Sequence, residues 1–151
     1  MKGFYNVLET IKTELLSSKF CTTVTYGDIR DIDLAKKTTF PLSHFIVDSA
    51  QYGENVITFS INLLCMDLVD ISKTSTVDNF TGNDNEQDVL NTQLQVVVNL
   101  LDELKLGNLY TTKYQLTNEP SIEPFTKRFE NLMAGWAVNI VVEVENDNAI
   151  C

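Results

Sequence analysis

The stretch SHFIVDSAQYGENVITFSINLLCMDLV, Ser43–Val69, decides how this chain folds. Within it Ile57, Phe59, Ile61 and Leu63 alternate with Thr58, Ser60 and Asn62. Successive side chains of a strand point to opposite faces, so this period of two predicts a strand with one buried and one polar face. HFIVDSA predicts a partner strand, and QYGEN, around Gly53, predicts the turn of a hairpin. From Leu63 to Met66 both faces become apolar. That end of the strand is expected to be covered on both sides, by the same chain or by a neighbouring subunit.

Working outward, residues 3–18 predict a helix, with Phe4, Val7, Leu8, Ile11 and Leu15 on one face. Phe20–Tyr26 (FCTTVTY) is rich in β-branched and aromatic residues and predicts a strand, with Gly27-Asp28 as a turn. Asp28–Pro41 predicts a connection. After the hairpin, the polar, patternless stretch 70–85 is a long connection of the kind that is usually functional or mobile. Asn83 or Asp84 is placed to cap the next helix, and Glu86 and Asp88 suit the positive end of its dipole.

That helix, Glu86 to Leu106, carries Leu90, Leu94, Val97, Leu101 and Leu104 at helical spacing, with Gly107 placed to end it. Val96, Val98 and Leu100 lie off this stripe and widen the apolar surface. Leu109–Leu116 predicts a further strand. The stretch from Thr117 to Gly135, punctuated by Pro120 and Pro124, reads as irregular, with a helical turn expected at 125–129. Trp136–Glu145 predicts a closing strand, with Trp136, Val138, Ile140 and Val142 facing the helices. The expected fold is α+β: one domain, 1–151, with a largely antiparallel sheet and two main helices packed on it.

Composition narrows the function. The chain has 151 residues, 44% of them hydrophobic, and a formal net charge of −10. One domain with a real core is expected. Basic residues are scattered, whereas binding nucleic-acid backbones needs them clustered. The three cysteines, Cys21, Cys65 and Cys151, have neither CxxC spacing nor an even count, so reduced thiols are expected. The N-terminal stretch lacks a continuous apolar signal core, and no apolar run is long enough to span a membrane. A cytoplasmic site of synthesis is expected, and the sequon Asn79-Phe80-Thr81 then has no role.

Chemistry-bearing candidates are few. His44 is the only histidine, and it sits in a strand pattern beside Ser43, so it is expected to be an ordinary strand residue. Asp28, Asp31 and Asp33 are interrupted by Arg30 and lack the order of a calcium loop. Asp78, Asp84, Glu86 and Asp88 lack it too. No Walker loop, GxGxxG or nucleophile elbow is present. No catalytic, metal-ligating or cofactor-binding residue is therefore expected. Trp136, after Gly135, is expected to anchor the core or an interface.

With these elements placed, the chain resembles the tail-terminator, or tail-completion, proteins of tailed bacteriophages. The stretches that carry the likeness are GFYNVLETIKTELL, FPLSHFIVDSAQYGENVITFSINLLCMDLV, EQDVLNTQLQVVVNLLDEL after the acidic loop, and ENLMAGWAVNIVVEVENDNAIC. It covers nearly the whole chain in size and order, and it rests on organisation rather than on a catalytic motif. The resemblance implies a small α+β structural protein of the virion, made in the host cytoplasm and without enzymatic activity. It implies a homo-oligomeric ring, commonly a hexamer, that stops tail-tube growth and joins the tail to the head. The implied partners are its own copies, the tail tube protein and a head–tail connector or neck protein. DNA would pass through the lumen as cargo, and the negative charge suits a conduit that must not hold it. The competing expectations are another head–tail connector and, in a different class, a small cytoplasmic ligand-binding domain or enzyme.

Overall fold

The computed structural model describes residues 4–27, 40–69, 86–105, 114–128 and 133–145. Helix α1 (Phe4–Leu16) turns Val7, Ile11 and Leu15 into the core. Strand β1 (Thr23–Tyr26) then runs parallel to the start of β2 (Leu42–Gly53). The hairpin expected from the sequence is present: β2 pairs antiparallel with β3 (Val56–Leu68). Its bend lies later than expected. Gly53 is already in the ladder opposite Val56, and Asn55 takes the left-handed conformation at φ 62°. Asn tolerates that region because its short amide can bond locally, so Glu54-Asn55 makes the turn and Gly53 does not. A bulge between Val47 and Ser49 leaves Asp48 outside the pairing.

Helix α2 (Glu86–Lys105) follows, with Glu86 and Asp88 in its first turn as expected. Strands β4 (Tyr114–Leu116) and β5 (Ile122–Arg128) both pair antiparallel with β6 (Met133–Glu145). The sheet has six strands in the order β1-β2-β3-β6-β4, with β5 lying along β6 as well. Between β4 and β5 the pairing is continued by Asn118, whose Oδ1 accepts from Val141 N (3.0 Å) while its Nδ2 donates to Asn139 O (3.2 Å). The fold is α+β, with one largely antiparallel sheet and two helices, as the sequence pattern predicts.

Two sequence expectations are corrected. The helical turn at 125–129 is absent over 125–128, which belongs to β5. Pro124 is tolerated because β5 is an edge strand, where a missing N–H need not break a ladder. The buried stripe of α2 is also rotated: Val89, Gln93, Val96, Val97, Leu100 and Leu104 are buried, while Leu90, Leu94 and Leu101 are half-buried. Val96 and Leu100 are central to the core rather than surplus to it. The 28–39 and 70–85 connections, with Asp28, Asp31, Asp33, Asp78, Asn83 and Asp84, lie outside the described residues, as do Gly107, residues 109–113 and Cys151.

The main core lies between the helices and one face of the sheet. Phe45 of β2, Phe59, Ile61, Leu63 and Cys65 of β3, and Val138, Ile140, Val142 and Val144 of β6 pack with both helices. Trp136 joins them, as expected, and its indole N–H donates to the carbonyl of Leu90 at 2.7 Å. A second cluster covers the other face at one end: Phe40, Leu42, Met66, Phe125 and Met133. On this second side Met66 is covered and Leu64 is half-buried. The cover comes from the same chain.

Gly135 makes that second cluster possible. A Cβ there would lie 2.0 Å from the carbonyl oxygen of Cys65, so only glycine fits so close to β3. Phe125 stands opposite Gly135 in the register and packs in this cluster, where the glycine presents no side chain.

Candidate functional site

His44 is buried on the face of the sheet away from the helices, opposite Leu64 in the register. Its Nε2 faces the carbonyl of Gly27 at 2.5 Å and its Nδ1 faces the hydroxyl of Thr25 at 2.8 Å. A carbonyl only accepts, so Nε2 carries the proton, and in the neutral ring Nδ1 accepts from Thr25. The ring thereby ties the β1–Gly27 segment to β2. That is a structural arrangement, with both ring nitrogens engaged by strand neighbours.

The two described cysteines are free thiols joined through a hydroxyl. Cys21 donates to Ser43 Oγ at 3.3 Å, and Ser43 donates to Cys65 Sγ at 3.5 Å. Burial pushes the Cys65 thiol up to about 12, and burial raises Cys21 as well. A nucleophilic cysteine needs the opposite shift, toward thiolate. Gln93, fully buried on α2, donates from Nε2 to the carbonyl of Phe20 at 3.2 Å, and its Oε1 has no partner among the described residues. Glu14 is raised by partial burial and by Glu103 beside it where the two helices approach. Among the described residues no cluster of His, Cys, Asp and Glu is placed to hold a metal ion. Among them also, no helix is long and apolar enough to cross a membrane.

An open groove of about 450 Å³ lies on the sheet face without helices. Leu64 and Ala137 form part of its wall, with Asn62, Asn118 and Asn139 around them. These amides already bond one another and the backbone: Asn139 Nδ2 donates to Asn62 Oδ1 (2.7 Å) and Ser60 Oγ (3.1 Å). Glu119 and Glu123 add negative charge at the rim. Nothing in this groove pairs a nucleophile with a base.

The more informative features are on the surface. Phe4, Tyr5, Leu16, Tyr26, Tyr52 and Val98 are exposed large apolar side chains. Several of these were missed in the sequence because Phe4 fits the inward helical stripe and Tyr26 ends a strand pattern. Of the residues in the two-sided Leu63–Met66 stretch and those that widen the apolar surface of α2, Leu63, Cys65, Met66, Val96 and Leu100 are buried within the chain, Leu64 is half-buried and Val98 reaches the surface. Comparison with known proteins adds no relative: no protein-family model and no curated protein matches this sequence.

Proposed function

We propose that this chain is a structural assembly subunit of a tailed-bacteriophage virion, a tail terminator that forms a ring on the tail tube and joins it to the neck. Its work is contact rather than catalysis. The observation that carries this reading is the placement of exposed apolar groups at both ends of one open sheet. Phe4, Tyr5 and Tyr26 lie at the β1 end, and Val98 with half-buried Leu101 and Leu116 lies at the β4 end. A ring subunit needs two different sticky sides, because each copy meets its neighbour through unlike surfaces. The tight engagement of His44 and the raised thiols agree with a structural role. The acidic charge suits a channel through which DNA slides.

The test is made on particles. The chain should be found in finished virions at the head-proximal end of the tail, in a copy number that fits one ring. Its deletion should give tails of irregular length that do not join heads. A chain absent from finished particles would defeat the reading, as would normal, head-joined tails in the deletion.

A further inference from the structure

Three of the exposed aromatic rings form one group. The ring centroids of Phe4 and Tyr5 are 6.1 Å apart, and those of Phe4 and Tyr26 are 6.3 Å apart. Tyr26 in turn meets buried Phe45 edge to face at 5.4 Å, which fixes the group to the core. Tyr5 stands out from it, 80% exposed. At the other end of the strand order, Val98 and Leu101 of α2 with Leu116 and Pro120 line a groove of about 250 Å³. Asp102, Lys105, Asn118 and Glu119 complete its lining.

We infer that this groove is the seat for Tyr5 of the next copy of the same chain, with Phe4 and Tyr26 packed beside it. The inference rests on the ring reading above and names its subunit contact. The chemistry of the two surfaces matches. A tyrosine has an apolar ring with one donor at its tip, and the groove offers apolar walls with two carboxylates to accept from it. Charge matches too. The first turn of α1 holds no acidic residue, so no carboxylate there offsets the positive end of its dipole beside Tyr5. The groove carries two carboxylates against one lysine, which favours that approach. A small molecule is a poorer occupant, since ligand pockets usually enclose roughly 300–1,000 Å³ and this groove is open and smaller.

Placement supplies the last step. Tyr26 is on β1 and Leu116 on β4, at opposite ends of the order β1-β2-β3-β6-β4. A contact between unlike ends is heterologous: each copy offers its knob to one neighbour and its groove to the other. Such a contact propagates, and it closes as a ring when the rotation between copies allows.

Two single variants of the full chain, Tyr5→Cys and Val98→Cys, test this, each made in a background with Cys151→Ser. Both positions are exposed, so folding should survive, and the buried Cys21 and Cys65 should stay unreactive. The variants are treated with a short bis-maleimide at high protein concentration, separately and mixed, and the mass of the untreated assemblies is measured in parallel. The expected result is a cross-linked dimer in the mixture and none in either variant alone. A chain carrying both substitutions should give a ladder of covalent oligomers. Cross-linking of Tyr5→Cys with itself would overturn the inference, because it reports a contact between like ends. Oligomers that form without cross-linking in the mixture would also overturn it, and would leave the ring reading standing. A chain that stays monomeric and uncross-linked at every concentration would overturn it as well, with the terminator reading then decided on particles alone.

Discussion

Strands β3 and β6 pair along their whole length, yet their two faces have different histories of burial. Toward the helices they present one continuous apolar row, from Phe59 to Cys65 and from Val138 to Val144. Away from the helices the same strands divide. Met66 and Met133 are buried under Phe40 and Phe125 at one end, whereas Asn62 and Asn139 line an open groove at the other, with Asn139 bonded to Asn62 and Ser60. Strand alternation alone therefore does not say how much a face is buried. What lies above it decides, and here two helices cover one face while the side chains of Phe40 and Phe125 cover one end of the other.

The contrast can be broken most severely from the helix side. Val138 is 4% exposed in the main core. Val138→Asp should cost about 4 kcal/mol or more, since an unpaired carboxylate there has no water and no cation. Urea unfolding would show it, and an unchanged midpoint would remove β6 from the core. Next is the junction between the faces. Gly135→Ala puts a methyl group 2.0 Å from a backbone oxygen, which cannot rotate away. Strands β3 and β6 must separate locally, at a cost of about 3 kcal/mol, within the range for overpacking. A thermal melt within a degree of the unsubstituted chain would show that the strands are looser than the register implies.

The third prediction sharpens the chemical side of the same contrast. Cys65 points into the main core, with its thiol pushed up to about 12 by burial. A folded-state value above the unfolded one favours the protonated form. Its contribution is therefore complete below the unfolded value of about 8.5 and is lost as pH rises toward 12. Each pH unit in that window costs up to about 1.4 kcal/mol. Cys65→Ala should flatten that alkaline decline, measured as urea midpoints from pH 8 to pH 10. An identical slope in the variant would mean that other groups carry it.

The helix-covered face was legible in the sequence, and the partly covered one was not. Ile57 to Leu63 and Trp136 to Val144 alternate cleanly because a continuous helical layer imposes one rule on every second residue. Strand β5 was hidden by Pro120 and Pro124, which read as breaks, and by a register shift between Phe125 and Arg128 that spoils the period. In α2 the apolar residues span a wide arc opposite Asn91, Gln95, Asn99 and Asp102, so two stripes compete. The one that wins contains Gln93, a residue whose polarity argues for exposure but that a bond to Phe20 O holds within. The apolar stretch Leu63–Met66 and the off-stripe Val96 and Leu100 misled for a related reason: Phe40, Phe125 and the rotated helix cover Met66, Val96 and Leu100, while Leu64 stays half-buried and Val98 exposed. The aromatic group and its matching groove are tertiary juxtapositions of α1 with β1 and of α2 with β4. No local spacing encodes them.

The smallest effect is expected on the open half of the second face, and it separates the two ends of the sheet from its middle as sites of assembly. Asn139 is exposed, and it bonds Asn62 and Ser60 across the β3–β6 pair. Water can replace an exposed amide bond, so Asn139→Ala should cost about 0.5 kcal/mol, at the low end for a hydrogen bond. If the contacts between copies lie at the β1 and β4 ends, the same substitution should leave ring formation and tail length unchanged, while Tyr5→Asp should weaken ring formation and give tails of irregular length without altering the melt. Particle assembly and thermal unfolding measured on the two variants give the answer. Loss of assembly in Asn139→Ala with Tyr5→Asp unaffected would move the subunit contact from the ends of the sheet to its polar face. An Asn139→Ala cost above about 2 kcal/mol would mean that this face is buried in the folded chain and never open to a partner.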